Sequence, residues 1–192
     1  MDLSIYFFGF LAVAVILLVT AIMIYNNLVN IKHTVSQAWS NIDILLKQRH
    51  DELPKLVETC KQYMQFEQET LNRVMQARAR IASAREAGDI SSLGAAEGML
   101  RMGLGNLYAV AEAYPELKTS EKFQHLQARI SSLENAIADR REFYNESVKN
   151  NNVLIDQFPE IIIARWLGFG ARDLLEFSVE NKADPDLGRL FA

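Results

Sequence analysis

From Ile5 to Ile24 the chain carries no charged side chain, and Ile, Val, Leu and Phe dominate the run. Coiled into a helix at ~1.5 Å per residue, it reaches roughly 30 Å, the thickness of a bilayer's hydrocarbon core. The pattern predicts a retained transmembrane anchor over residues 1–24. A cleaved signal peptide fits poorly: no basic residue precedes the run, and Ile22-Met23-Ile24 has no small residues for cleavage. Beyond the run, apolar residues fall at Leu28, Ile31, Val35, Ala38, Ile42 and Leu45, alternating steps of three and four that mark a heptad seam. Neither Gly nor Pro separates this seam from the anchor, so one continuous rod is expected from about Ile5 to His50.

Asp51 as N-cap and Pro54 in a first turn predict that a second helix starts there. Its seam runs Leu56, Cys60, Tyr63, Glu67, Thr70, Val74, Ala77, Ile81 and Ala84 until Gly88-Asp89 breaks it. Ser91 or Ser92 would cap a third helix ending at Tyr114-Pro115, because proline disfavours helical geometry in the residue before it. Gly94, Gly98, Gly105, Ala109 and Ala113 give that helix a small-residue face suited to close approach by another backbone. Ser120 would cap a fourth helix with its seam at Phe123, Leu126, Ile130, Leu133, Ile137, Tyr144, Val148, Ile155 and Phe158, before Pro159. No alternating apolar-polar run bounded by turn residues occurs, so strands are not expected.

The fold class that follows is all-α: an N-terminal transmembrane helix continuous with an antiparallel up-down four-helix bundle over 25–159, plus a short helical C-terminal segment and tail over 160–192. If helices alternate in direction, the fourth returns to the bilayer surface. There the chain places Ile161, Ile162, Ile163, Trp166, Leu167 and Phe169 beside Arg165 and Arg172, the composition of an interfacial segment. Covering the end of the bundle, or meeting another protomer, accounts for the same residues equally well. The tail from Glu180 to Ala192 reads as irregular, with Leu190 and Phe191 free to dock.

Charge adds exclusions. A net charge of −4 with mixed signs leaves no basic stripe to follow a phosphate backbone, so nucleic acid is not an expected partner. Lys32, Lys47 and Arg49 follow the span and no Lys or Arg precedes it, which favours a cytoplasmic domain on a single-pass inner-membrane protein, an extracytoplasmic one being the alternative. The lone Cys60 cannot form an intramolecular disulfide and falls on an apolar seam. His33, His50 and His125 show no metal-ligand spacing, there is no Glu-x-x-His, and no Ser or Cys sits in a nucleophile motif. Neither catalytic residues, a metal nor a cofactor is expected.

Asp43, Arg49, Glu67, Arg78, Glu134 and Arg140 occupy or border apolar faces, where an unpaired charge is expensive. They are expected to pair across helices, as an internal network fixing register or as a polar site that binds something. Trp39 and Tyr114 read as core or helix-end packing.

Several short motifs carry a resemblance. Tyr25-Asn26-Asn27-Leu28-Val29, Ala38-Trp39-Ser40-Asn41-Ile42-Asp43, Arg49-His50-Asp51, Pro54-x-Leu56-Val57, Thr70-Leu71-x-x-Val74, Tyr114-Pro115-Glu116-Leu117-Lys118, Leu133-Glu134-Asn135-x-Ile137-Ala138-x-Arg140, Tyr144-Asn145 and Phe158-Pro159 follow one another in order. In these the chain resembles the LemA family, which implies a membrane-anchored helical bundle without implying an activity. It departs from the family in having Phe66 where a His usually precedes the Glu at 67, and in lacking a basic N-terminus. The expected function is a non-enzymatic membrane-anchored scaffold that self-associates or organises membrane proteins. Its contacts are expected at Gly94, Gly98 and Gly105 or at Ile161, Ile162, Trp166 and Phe169. The alternative is a sensory module that binds a ligand or peptide between helices.

Overall fold

The computed structural model describes residues 2–176, with side-chain burial from Tyr6 onward; the expected tail with Leu190 and Phe191 lies outside the described residues. Among the described residues there are six helices and no strand: α1 (Asp2–Lys61), α2 (Gln68–Ala87), α3 (Ile90–Ala111), α4 (Pro115–Lys118), α5 (Glu121–Asp156) and α6 (Glu160–Leu167). The all-helical class and the long apolar N-terminal helix therefore hold. By length and composition α1 is able to cross a membrane, and from Tyr6 to Met23 its large apolar side chains are exposed.

The first helix does not stop at His50. It runs through Pro54 to Lys61, which corrects the expected boundary. Proline in a helix interior costs ~3 kcal/mol, partly because the carbonyl four residues earlier loses its donor. Here that carbonyl belongs to His50, and the Arg78 Nε of α2 donates to it at 2.9 Å. Continuing the helix also keeps Leu53, Leu56, Val57 and Cys60 on its buried face. At ~1.5–3 kcal/mol for each large apolar side chain, that burial outweighs the proline. The chain turns at 62–67 instead, where Tyr63 and Met64 both donate to the Cys60 carbonyl and Met64 is buried.

Gly88 ends α2 in the left-handed conformation at φ 67°, as its place in the pattern suggests. The cap of α3 is Asp89 rather than Ser91 or Ser92: its carboxylate accepts from the Ser92 amide at 2.9 Å and the Ser92 hydroxyl at 2.5 Å. On α5 the expected seam is buried from Phe123 through Ile155, but Phe158, its expected last member, lies beyond the helix and is 81% exposed.

Contacts divide the chain into two units, Met1–Asn41 with Glu142–Arg172, and Ile42–Arg141 with Asp173–Ala192. In the first, Ile24 and Leu28 of α1 share an apolar cluster with Ile155 of α5 and Ala164 of α6, and Trp39 lies against Tyr144 with ring centroids 5.6 Å apart. In the second, α2 packs along α3, where Gly103 brings α3 against Val74.

Candidate functional site

The second unit holds a buried ionic cluster. Arg49 of α1 and Glu97 of α3 form an ion pair with side chains 4% and 3% exposed. Both stand on otherwise apolar faces, between Leu46 and Leu53 on α1 and between Leu93 and Leu100 on α3. Among the described residues the Arg49 Nε has no hydrogen-bond partner. Glu134 of α5 stands beside this pair. Burial holds its carboxyl above the usual carboxylate range and the Glu97 charge adds to the effect, while Arg49 and Arg101 oppose it. Burial likewise pushes the Tyr108 phenol up, with Glu134 adding to it. A cavity of about 150 Å³ opens here, lined among others by Arg49, Glu97, Arg101, Glu134, Asn135 and Arg141.

Two further polar contacts tie α1 to α2 in this unit: the Asp43 carboxylate with Arg85 Nε at 3.1 Å, and the Arg78 bond to the His50 carbonyl. Of the residues expected in an internal network, Arg49 and Glu134 come together, while Asp43 and Arg78 each bind α2 to α1 separately. Glu67 sits in the 62–67 turn and Arg140 is exposed on α5, so neither joins the cluster. The structure supplies Glu97 in their place. Its position on the buried face of α3 was legible, since Leu93, Glu97, Leu100 and Leu104 keep helical spacing. Arg141, half-buried, lines the cavity where Arg140 was expected.

The cluster offers arginines to an anion and a carboxylate able to hold a proton, but no nucleophile beside a base. Among the described residues no group of three or more His, Cys, Asp and Glu is placed to hold a metal ion. His33 and His125 are exposed, His50 is half-buried in α1, and Cys60 is buried.

The small-residue face of α3 has an intramolecular use. A Cβ on Gly94 would collide with the Glu176 carbonyl oxygen, so Gly94 lets the chain's own backbone at Glu176 lie against the helix. At Gly94 the small-residue face is thus used by the chain itself. Gly105 is exposed with nothing within 4 Å of such a Cβ, and Gly98 is half-buried.

In the first unit, α6 folds back on α1 through Ala164. Gly168 caps it at φ 72°, and the Phe169 amide bonds the Ala164 carbonyl at 2.9 Å. Phe169 then meets the Tyr25 ring edge-on at 6.4 Å and lies 5.8 Å beneath the Lys32 ammonium. Asn152 holds the Arg172 backbone at both its amide and its carbonyl, 2.9 Å each. Ile161 and Phe169 are half-buried by these contacts, while Ile162 and Trp166 remain exposed.

Residues 38–188 match the LemA family, a stretch that contains both the ionic cluster and α6. Magnetosome protein MamQ of Magnetospirillum gryphiswaldense is 25% identical over 186 residues, covering 83% of this chain and 68% of that protein. Magnetosome proteins MamQ 1 and MamQ 2 of Paramagnetospirillum magneticum are each 24% identical over 173 residues, covering 78% of this chain and 64% of theirs. The chain thus spans about two thirds of the length of these relatives. With an all-helical fold, an apolar first helix and a match over most of its length, the chain belongs to the LemA family.

Proposed function

We propose that the protein is a single-pass membrane-anchored scaffold with an antiparallel helical bundle, which assembles laterally with its own copies or with other membrane proteins. One observation carries this reading: α1 passes without a break from the apolar run into the buried core residues Ile42, Leu46 and Leu53. A stiff helix of that kind couples the folded part to the bilayer and gives every copy the same orientation. Confinement to one plane raises effective concentration, so weak side-to-side contacts suffice for assembly. The antiparallel bundle is supported by the order of contacts. Asp43 pairs with Arg85 and His50 with Arg78, so α2 descends as α1 ascends. Leu28 clusters with Ile155 and Trp39 with Tyr144, the same relation for α5.

The exposed Gly105 of α3, and the groove of about 250 Å³ between α2 and α3 lined by Gly103, Met99 and Met102, are surfaces for a second copy. The positive residues after the span favour the cytoplasmic side. Mass measurement in mild detergent, with amine crosslinking in membranes, tests the reading. Oligomers or a defined co-purifying membrane protein are expected, and a strictly monomeric, solitary particle overturns it.

A second reading is favoured by the cavity beside Arg49: a sensory bundle that takes a small anion. Thermal shifts of the full chain with small carboxylates and phosphate would favour it if they vanished in Arg49→Met.

A further inference from the structure

Helix α6 is apolar on the side it turns outward as well as on the side it buries. Ala164 is covered by α1 and α5, and Ile161, Ile163 and Phe169 are half-covered. Ile162 is 60% and Trp166 84% exposed, Phe158 just before the helix is 81% exposed, and Arg165 within it and Arg172 after it are exposed too. Ile162 and Trp166 lie one helical turn apart, on one face. A cluster of large apolar side chains left on the surface marks a face that another apolar phase covers.

The place of this face says what surrounds it. The residues that receive α6 are Ile24, the last of the uncharged run, and Leu28 one turn later. Phe169 reaches along the same helix, from Tyr25 to Lys32. The outer face of α6 therefore stands level with the end of the span, where tryptophan sits at the headgroup boundary and arginine meets lipid phosphate.

We propose that α6 is a second, interfacial membrane contact, with Phe158, Ile162 and Trp166 entering the headgroup and upper acyl region of the bilayer that α1 spans, and Arg165 and Arg172 facing phosphates. This rests on reading α1 as a membrane span. The contact clamps the rod at the membrane surface, so that its tilt is set by α6 rather than left free.

The full chain, reconstituted in phosphatidylcholine–phosphatidylglycerol vesicles brominated high on the acyl chains, provides the test. Flotation in a density gradient reads the anchor by itself. Tryptophan emission of the wild type minus that of Trp166→Phe isolates Trp166, an exposed side chain whose replacement does not disturb packing. The other tryptophan, Trp39, lies on α1 roughly 22 Å beyond Ile24 at ~1.5 Å per residue, out of reach of the brominated chains. The expected result is flotation with a blue-shifted Trp166 signal that loses most of its intensity to brominated lipid. Flotation with Trp166 untouched by bromine and open to acrylamide on both sides of the bilayer overturns the contact and leaves the anchor standing. Flotation with Trp166 shielded from both quenchers overturns it in favour of a second copy as the cover. Failure to float overturns the anchor reading, and the interfacial contact with it.

Discussion

Arg49 shows how a single side chain shapes this protein. A charge on the buried face of α1 costs several kcal/mol unless its partner is in place, and Glu97 is that partner. Removing one member leaves the other buried and unpaired. Arg49→Met is expected to cost ~3–5 kcal/mol of stability, and the double change Arg49→Met with Glu97→Leu to recover most of it, as read by denaturation of the full chain in detergent. Equal loss in the single and double variants would mean that the pair is not what holds these helices in register. Glu134 adds a pH dependence of opposite sense to the usual carboxylate. Burial raises its folded pKa, so between the ordinary carboxylate value and the raised one the folded chain binds the extra proton. Its contribution is greatest on the acid side and is lost as pH rises through that window. Glu134→Gln, permanently neutral, lacks this loss. Its melting temperature should draw ahead of the wild type as pH rises above the ordinary carboxylate range.

At the scale of elements, α1 and α2 are joined by a defect. Pro54 removes the donor for the His50 carbonyl and Arg78 replaces it from the neighbouring helix. Arg78→Met should cost ~1–2 kcal/mol in the wild type, and distinctly less in a Pro54→Ala background where position 54 regains its amide. A double-mutant cycle with no coupling would remove the compensation from the account. The glycines of α3 divide in the same concrete way. Gly94→Ala places a methyl against the Glu176 carbonyl and should lower the melting temperature, whereas Gly105→Ala fills open space and should gain up to ~1 kcal/mol in helix propensity.

For the whole molecule, the decisive quantity is the free energy of the apolar run in lipid. Val13 and Ile16 lie near its middle, exposed along α1. Replacing both with Asp should cost ~2.5–3.5 kcal/mol apiece for insertion, seen as loss of the alkali-resistant membrane fraction with helix content retained. An unchanged membrane fraction would mean that the protein is held there by something other than this run. Much of the architecture was legible because burial repeats with helical period. The uncharged run, the α5 seam, the Gly88 stop and the match to one family can all be read from residues in order. The extent of α1 was not. Pro54 reads as a helix start from its neighbours, and what makes it tolerable inside a helix, the Arg78 guanidinium at the His50 carbonyl and the burial of the face around it, comes from groups distant in sequence. The partner of Arg49 was missed for a related reason: a charge on an apolar face shows that some partner exists, but not which of several glutamates lies opposite.

The amino-acid order alone determined the helical class, the apolar span and the faces that must be buried, since these depend on local periodicity and transfer energy. Tertiary structure alone decided which charges meet, that Gly94 serves the chain's own backbone, and that α6 is held at the end of the apolar run. Each of these depends on groups far apart in sequence being brought to one place, and no local propensity encodes that.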